Sequence, residues 1–462
     1  MRLVLLVSLL FAACGTSSPP IQPPMDTGVA AMDAGTLDAA EAPDLGAAPD
    51  AAETPDLGSA PDAMEFQPDA APAADALGSP DAAPAADAGF MDATVVPEDA
   101  GTPDSGGFAI GAHPPLTQVP YLGGPILQHP ELILISYADD PNVDTLEADA
   151  RWLVGSSWLT AVGSEYGVSS GSVMATVRSS SRAPTRISDT QIQAMLTAGL
   201  RDQTIPSPPN GDFSNALYVI YYPSSTQVLL DEGGRTSVSC QDFGGYHFEA
   251  TGPNGPFSYA VIPNCPGFFP GLSDVESEEL AFSHEVIEAA TDALPYSRPA
   301  YTVDPAGDSP LLLVGGEVTD LCAQSTRVYR EGNYVASLSY SNAAAALGDR
   351  DPCIPGDPPP PYYLAMTDPE HLQVVRAGSS IQLQVDAWSN VPMPDWSVQA
   401  LPQGTFNVGV SLSASRMNNG RHATLTLSVP AGTQPGNYAV IYLVSAVSQS
   451  DFHLAYTGVI VE

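Results

Sequence analysis

The chain contains no lysine: all 14 of its basic residues are arginine, against 53 aspartate and glutamate residues and a formal net charge of −39. A surface this acidic repels phosphate backbones and anionic lipid headgroups. The composition therefore argues against nucleic acid as a partner. It also predicts that any attachment to a membrane comes from a covalent lipid and not from the protein surface.

Two common kinds of site are not expected in this chain. No C-x-x-C spacing occurs among its five cysteines, so a zinc site built from cysteines is not expected. A serine-nucleophile triad is not expected either. The candidates for chemistry are therefore histidines and carboxylates.

The first fourteen residues, MRLVLLVSLLFAAC, predict export. One arginine, an apolar run and small residues before Cys14 are typical of a secretory signal. The ending FAAC-G resembles a bacterial lipobox, so we expect residues 1–14 to be a lipoprotein-type signal and Cys14 to carry lipid. A plain cleaved signal is the alternative. By analogy with lipoproteins, Gly15 predicts an outer-membrane lipoprotein of the cell envelope, held by its lipid and compatible with exposure at the cell surface.

The other four cysteines form an even set in an exported chain. Exported proteins meet an oxidising environment, in which disulfides form and persist. Order along the chain suggests the pairs Cys240–Cys265 and Cys322–Cys353, although the sequence alone does not fix the pairing.

Residues 15–106 are low in complexity. They hold 18 acidic residues and no basic one, and Pro-Asp recurs at 43, 49, 55, 61, 68 and 80. So few large apolar side chains cannot offset the entropy lost on ordering the chain. Proline and charge repulsion keep such a segment extended. We predict a disordered tether; the alternative, a repeat domain, would need an apolar face for stacking.

From residue 107 the pattern becomes globular. Buried-strand runs such as ELILISY (131–137) alternate with helical patterns. The strongest helix pattern, SDVESEELAFSHEVIEAATD, begins with Ser273 and Glu276 in the positions of a capping box. These features predict an α/β or α+β domain over residues 107–356.

A proline run, CIPGDPPPPYY, separates this domain from the rest of the chain. Beyond it, short strand patterns alternate with turn signals such as RMNNGR and PAGTQPG. This pattern predicts an all-β, Ig-like sandwich over residues 364–462.

The strongest helix contains SHEVIEAATDA (283–293), which differs by one residue from the zinc-peptidase motif H-E-x-x-H. Residues four apart share a helix face, so His284 and Glu288 can reach one metal. Glu285 lies about 100° around the axis, where the glutamate of zinc peptidases polarises water. The alternative is an acidic surface helix, since further glutamates precede the motif at Glu276, Glu278 and Glu279.

A second acidic motif, GGEVTDLC (315–322), follows the helix. Glu317 lies at a suitable distance along the chain for a further ligand from a separate element, with Asp320 beside it. The alternative is that both residues only solvate a loop before a disulfide.

Together the two motifs resemble those of the phosphate-induced, or EXORDIUM-like, protein family and its bacterial relatives, over roughly residues 130–355. Weaker matches are CQDFGGYHFEA (240–250), which contains His247, and FSYAVIPNC (257–265). The family is extracellular and has no settled enzymatic activity. The chain departs from the family pattern at Ala293, where proline is usual.

The resemblance and the spacing imply a zincin-like site with a ligand set that mixes histidine and carboxylate. In it, Glu285 is the water-activating base, the metal ligands are His284, Glu288 and Glu317 or Asp320, and His247 is an additional candidate. The helix motif favours zinc. Because carboxylates dominate the set, manganese, iron and calcium stay open.

Two functions follow. The first is a metal-dependent, metallopeptidase-like hydrolase acting on a peptide or polysaccharide, in which Glu285 accepts a proton from water. The second is a non-catalytic binding or adhesion protein, in which the acidic cluster holds a structural metal or contacts carbohydrate. A third interpretation keeps the fold with a decayed site. Only the hydrolase requires Glu285 for turnover.

Overall fold

The computed structural model describes residues 108–462 apart from gaps at 233–234, 305–308, 310, 312–314, 324, 326, 357–359 and 368–371. The predicted signal (1–14), the lipidation site Cys14 and the predicted tether (15–106) lie outside the described residues. The described residues belong to one compact unit. None of the helices among them combines the length and the apolarity needed to cross a bilayer.

The helices in the described part of the chain are α1 (Val143–Leu153), α2 (Ser157–Gly163), α3 (Asp189–Arg201), α4 (Asp274–Thr291) and α5 (Asn342–Leu347). The strands of the first region are β1 (Glu131–Ser136), β2 (Ser172–Arg178), β3 (Arg186–Ser188), β4 (Ala216–Tyr222), β5 (Gln227–Glu232), β6 (Arg235–Val238), β7 (Tyr246–Gly252), β8 (Gly255–Pro263), β9 (Tyr329–Glu331), β10 (Tyr334–Ala336), β11 (Ser339–Tyr340) and β12 (Cys353–Ile354). The strands of the second region are β13 (Tyr363–Met366), β14 (Gln373–Val375), β15 (Ser380–Ser389), β16 (Trp396–Gly404), β17 (Gly409–Leu412), β18 (Arg416–Met417), β19 (His422–Ser428), β20 (Tyr438–Ala446) and β21 (Phe452–Val461).

The first region is organised by a sheet with the strand order β2-β1-β4-β8-β7. The first four strands run parallel, and β7 pairs antiparallel with β8. Along β1, Leu132 and Leu134 pack with the side chains of α1, α2 and α4, whereas Ile133 and Ile135 pack with those of α3. Parallel strands covered on both faces are apolar throughout, which explains the continuous apolar run of ELILIS.

Helix α4 begins at the predicted capping box. The Ser273 hydroxyl accepts a hydrogen bond from the backbone N–H of Glu276, whose carboxylate accepts from the backbone N–H of Ser273. The helix packs against β7, β8, β10 and α1 and is buried on nearly all sides. Glu278 and Glu279 are only 1% and 2% exposed. The interpretation of α4 as an acidic surface helix is therefore wrong.

The second region consists of two sheets, β13-β15-β19-β17 and β14-β21-β20-β16-β18. Along β19, Ala423, Leu425 and Leu427 are buried and alternate with partly exposed residues. The region contains no helix among its described residues. The chain is mostly β-structure with few helices, and a mixed α/β region followed by an all-β region is confirmed at that level.

The two regions share one hydrophobic core. Phe282 of α4 and Trp388 of β15 belong to the same buried cluster. The segment before β1 also joins them, since the His113 ring stacks on Trp388 with centroids 4.0 Å apart. In the same segment, the backbone N–H of Gly111 donates to the side chain of Asn419. The site on α4 is therefore supported from the second region as well as from its own sheet.

We expect replacement of Gly171 by alanine to destabilise the fold. A Cβ there would lie far inside contact distance of the Pro130 carbonyl oxygen, which already accepts the backbone N–H of Ser172 at 2.9 Å. The collision is with backbone, so β1 and β2 would have to separate. Gly171→Ala should lower the free energy of unfolding by about 1–3 kcal/mol, measured by denaturant unfolding.

Gly155→Ala is the matched control. A Cβ at Gly155 would meet nothing closer than the Trp152 carbonyl oxygen at 4.0 Å. This variant should stay within about 0.5 kcal/mol of the unmodified protein. Equal stability of the two variants would contradict the role assigned to the close approach at Gly171.

Candidate metal centre

Three elements bring seven buried titratable side chains together, and each is at most 8% exposed. Strand β7 contributes one, helix α4 contributes three and its C-cap residue a fourth, and the segment after it contributes two: His247, His284, Glu285, Glu288, Asp292, Glu317 and Asp320. All the residues nominated from the sequence for the metal site lie here. The interpretation of Glu317 and Asp320 as solvated loop residues is wrong, since each is 5% exposed.

The first group of candidate ligands is His284, Glu288 and Asp320. The Nε2 atom of His284 lies 3.1 Å from Oε2 of Glu288 and 3.5 Å from Oδ1 of Asp320. The three ligand atoms lie within 4.8 Å of one another, a separation that a bound ion can draw together. The one-turn spacing on α4 places His284 and Glu288 on the same face.

The second group is His247, Glu288 and Glu317. The Nε2 atom of His247 lies 3.5 Å from Oε1 of Glu317, and its Nδ1 atom lies 3.9 Å from Oε2 of Glu288. One nitrogen of His247 and one oxygen each of Glu288 and Glu317 lie within 4.8 Å of one another. Sequence reasoning offered Glu317 or Asp320 as one further ligand; the structure places each beside a different histidine.

Glu288 belongs to both groups and is held in place by the backbone. Its Oε1 atom accepts hydrogen bonds from the N–H groups of Thr319, at 3.1 Å, and Asp320, at 2.9 Å. Its Oε2 atom faces the two histidines. Gly315 has a φ of +110°, and a Cβ there would collide with the Asp320 carboxylate, so the approach of this loop requires glycine.

Two disulfides lie beside the site. Cys322–Cys353 begins two residues after Asp320, and Cys240–Cys265 joins the segment before β7 to the segment after β8. These are the pairs suggested by order along the chain. They restrain the two segments that carry Asp320 and His247.

Burial controls protonation in the site. Desolvation raises the pKa of Glu288 to about 7, the pKa of Asp292 to about 6, and the pKa of Glu317 well above its usual range. Burial alone would lower the pKa of His247, but the nearby carboxylates of Glu317, Glu285 and Glu288 outweigh it and raise that pKa to about 10. Burial thus favours the neutral forms of these carboxyl groups, and a bound cation would favour their charged forms.

Asp292 is the residue that sequence reasoning missed. It is 0% exposed, and its Oδ1 atom accepts the backbone N–H of Ala300 at 2.8 Å. Its Oδ2 atom has no hydrogen-bond partner among the described residues. The signal was present in the sequence, because His284, Glu288 and Asp292 follow one another at four-residue intervals along one helix face.

A small cavity of about 40 Å³ borders the site. His284 and Glu285 line it together with Phe269, Leu280 and Ser337, among others. A water molecule requires about 10–15 Å³ by this kind of measure. The cavity therefore has room for water beside both a candidate ligand and the candidate base, but not for a length of polymer.

No protein-family model matches this chain, and no curated protein matches it. Among solved structures, it is similar to the secreted serine protease VesC from Vibrio cholerae at 13% identity, over 21% of this chain and 23% of that chain, with a TM-score of 0.16. It is also similar to a nucleoside hydrolase-related hypothetical protein from Saccharophagus degradans, associated with carbohydrate metabolism, at 9% identity, over 72% of this chain and 100% of that chain, with a TM-score of 0.23. Likeness this weak carries no argument, so the site is interpreted from its own geometry.

One match to the serine-hydrolase pattern G-x-S-x-G does occur, as GVSSG at residues 167–171. The Ser169 hydroxyl lies 3.0 Å from Nδ1 of His129 and also donates to the Gln128 carbonyl. The segment precedes β2 at the surface, whereas the nucleophile turn of these enzymes joins a strand to a helix. Among the described residues, no carboxylate is hydrogen-bonded to His129. The match therefore does not supply a catalytic triad.

A further buried carboxyl group, Glu278, lies on α4 outside both groups of candidate ligands. One of its oxygens accepts hydrogen bonds from the side chains of Asn142 and Asn264, each at 2.8 Å. The other has no hydrogen-bond partner within the described chain. Burial raises the pKa of Glu278 to about 8, with Asp140 adding to the rise. At neutral pH the folded protein therefore holds a proton here.

This protonation predicts a pH-dependent stability. Between about pH 4.5, the ordinary pKa, and about pH 8, the folded chain holds a proton that the unfolded chain has released, so stability falls as pH rises. Glu278→Gln keeps the acceptor oxygen and cannot ionise. We expect a thermal midpoint near that of the unmodified protein at pH 5 and about 5 °C above it at pH 8.5. Circular dichroism at both pH values measures it, and the same difference at both would contradict the assignment.

Proposed function

We propose that the protein is an exported metalloprotein of the cell envelope, and that its buried centre acts as a metal-dependent, metallopeptidase-like hydrolase. The convergence of two histidines with Glu288, Glu317 and Asp320, next to Glu285 and a water-sized cavity, carries this proposal. Buried charges in proteins are paired or bind metals. The donor atoms fit a divalent cation.

The residues have distinct roles in this proposal. A bound divalent cation supplies Lewis acidity and makes water a better nucleophile at neutral pH. His284, Glu288 and Asp320 hold the cation. Glu285 borders the same cavity as His284 and accepts the proton from water, while His247 fixes the Glu285 carboxylate through a contact of 3.4 Å from Nδ1 to Oε2.

Two imidazoles within reach of the carboxylates favour zinc, with manganese or iron(II) as alternatives. Sequence reasoning had one secure histidine, and strand β7 adds the second. Calcium prefers six to eight oxygen ligands and is less suited to a set that contains imidazole.

The second candidate function is a binding or adhesion protein with a structural metal. The size of the cavity favours it, because about 40 Å³ beside Glu285 does not accommodate a polymer chain. In this case the cation cross-links α4, β7 and the loop at 315–322, and the all-β region contacts wall or matrix polymers. Hydrolysis would require the cavity to open toward the substrate.

The remaining expectations form part of the same proposal. Lipid on Cys14 anchors the protein to the outer membrane, and residues 15–106 hold the folded part away from it. The two disulfides support an oxidising compartment. Membership of the EXORDIUM-like family rests on the paired acidic motifs alone, and the Ig-like character of the second region rests on its two-sheet arrangement.

Metal content and turnover together test this function. The full-length protein, purified without chelator, should contain near-stoichiometric metal by inductively coupled plasma mass spectrometry. Glu285→Gln should retain the metal and lose at least about 100-fold in hydrolysis of fluorescein-labelled casein, since a general base contributes about 10²–10⁴-fold. His284→Ala should contain less metal than the unmodified protein, and His422→Ala, in the second region, should match the unmodified protein in both measurements.

The outcomes separate the two candidate functions. Retained metal in a Glu285→Gln variant that still cleaves as well as the unmodified protein would overturn the assignment of Glu285. Bound metal without cleavage in any variant would favour the structural role. A full-length protein without metal would overturn both.

A further inference from the structure

We propose that the centre binds two divalent cations, one in each group of ligands, and that Glu288 is shared between them. This inference rests on the proposed metal-binding function and deepens it. The first ion belongs to His284, Glu288 and Asp320, and the second to His247, Glu288 and Glu317.

The distances within each group of ligands fit one bound ion per group. Ligand atoms lie about 2.0–2.2 Å from zinc, so two ligands of one ion are at most about 4.4 Å apart. In the first group, the contacts from Nε2 of His284 to Glu288 and Asp320, 3.1 and 3.5 Å, fall inside that limit. In the second group, the contact from Nε2 of His247 to Glu317, 3.5 Å, also falls inside it. One ligand atom from each residue of a group lies within 4.8 Å of the others, so a movement of a few tenths of an ångström completes each set. The groups have only Glu288 in common, and each has its own histidine and its own second carboxylate.

The ring of His247 is oriented as in a metal ligand, with one nitrogen facing a carboxylate and the other without a hydrogen-bond partner among the described residues. Its ring is 2% exposed, and its Nε2 atom has no hydrogen-bond partner among the described residues. Its Nδ1 atom lies 3.4 Å from Oε2 of Glu285. Histidine ligands commonly donate one ring N–H to a carboxylate and bind metal through the other nitrogen. With Nδ1–H directed toward Glu285, a cation that displaces the other ring proton would bind the Nε2 lone pair beside Glu317 and satisfy a buried atom that is otherwise costly.

The number of buried carboxylates in the site also favours two ions over one. Five carboxylates are buried here: Glu285, Glu288, Asp292, Glu317 and Asp320. Both histidines form ion pairs with these carboxylates, and the chain has no lysine. With all five carboxylates ionised and both imidazoles neutral, as metal binding requires of the ligands, one divalent ion leaves a charge of −3 and two ions leave −1. Uncompensated buried charge is strongly destabilising.

A shared carboxylate is also the usual way to bring two ions close enough to act together. Two-metal hydrolytic sites hold their ions about 3.5–4 Å apart and stabilise both the attacking and the leaving oxygen. The Oε2 atom of Glu288 faces both histidines, while backbone N–H groups fix its Oε1 atom. The sharing carboxylate is therefore positioned before any ion binds.

Zinc stoichiometry tests the inference. The full-length protein, stripped with chelator and dialysed against buffered free zinc, should bind two equivalents. His247→Ala and His284→Ala should each bind one, and the control His422→Ala should bind two. Glu317→Gln, which keeps the size of the side chain, should also bind one and replaces His247→Ala if that variant fails to fold.

The number of bound zinc equivalents distinguishes failure of the two-ion arrangement from failure of the metal site itself. One equivalent in the unmodified protein would overturn the two-ion arrangement and leave a single metal centre, with protons neutralising the other carboxylates. No bound zinc would overturn the proposed function as well. Manganese loading distinguishes a true pair from ions on the acidic surface, because only neighbouring ions give a spin-coupled paramagnetic resonance signal; its absence from a protein with two manganese ions would also overturn the inference.

Discussion

The interior of this protein depends on how the negative charge of helix α4 is compensated. The helix carries Glu278, Glu279, Glu285, Glu288 and, at its end, Asp292 into the core, all at most 4% exposed. The chain has no lysine, and Arg330 forms its ion pair with Glu276 in the first turn of the helix. Groups that can compensate these buried carboxylates are imidazoles, side-chain amides, backbone N–H groups, protons and bound cations. Different groups in this set act near the start and near the end of the helix.

The two ends of α4 meet this constraint differently. Near its start, Glu278 has only two side-chain amides as donors, and burial raises its pKa to about 8, so a proton supplies the compensation. Near its end, the fold brings histidines and a loop with outward-pointing N–H groups to Glu288. The second arrangement includes a loop that requires glycine at position 315 and a disulfide that restrains it. A single carboxylate could be neutralised by a proton without either feature. The extra structure is accounted for if this end holds cations.

Sequence reasoning located the parts of the fold that are encoded locally. The capping box at Ser273 and Glu276 acts within one turn of helix, and the apolar run of β1 follows from burial on both faces, so both could be predicted. Placing His284 and Glu288 together needed only the helical repeat. The burial of Glu278 and the approach of His247 to Glu285 depend on strands β7, β8 and β10 packing around α4, which no local pattern specifies. The glutamates that precede the motif suggested an acidic surface helix, because the sequence does not show which elements cover α4.

The departure from H-E-x-x-H acquires a physical meaning in this arrangement. A histidine at position 288 would offer one nitrogen to a metal and would need its other nitrogen for a hydrogen bond. A carboxylate offers two oxygens, and here one is held by the Thr319 and Asp320 N–H groups while the other faces both His247 and His284. Glutamate can therefore connect two groups of ligands where histidine could serve one. The residue that weakens the match to a one-zinc peptidase is the residue that a two-ion centre requires.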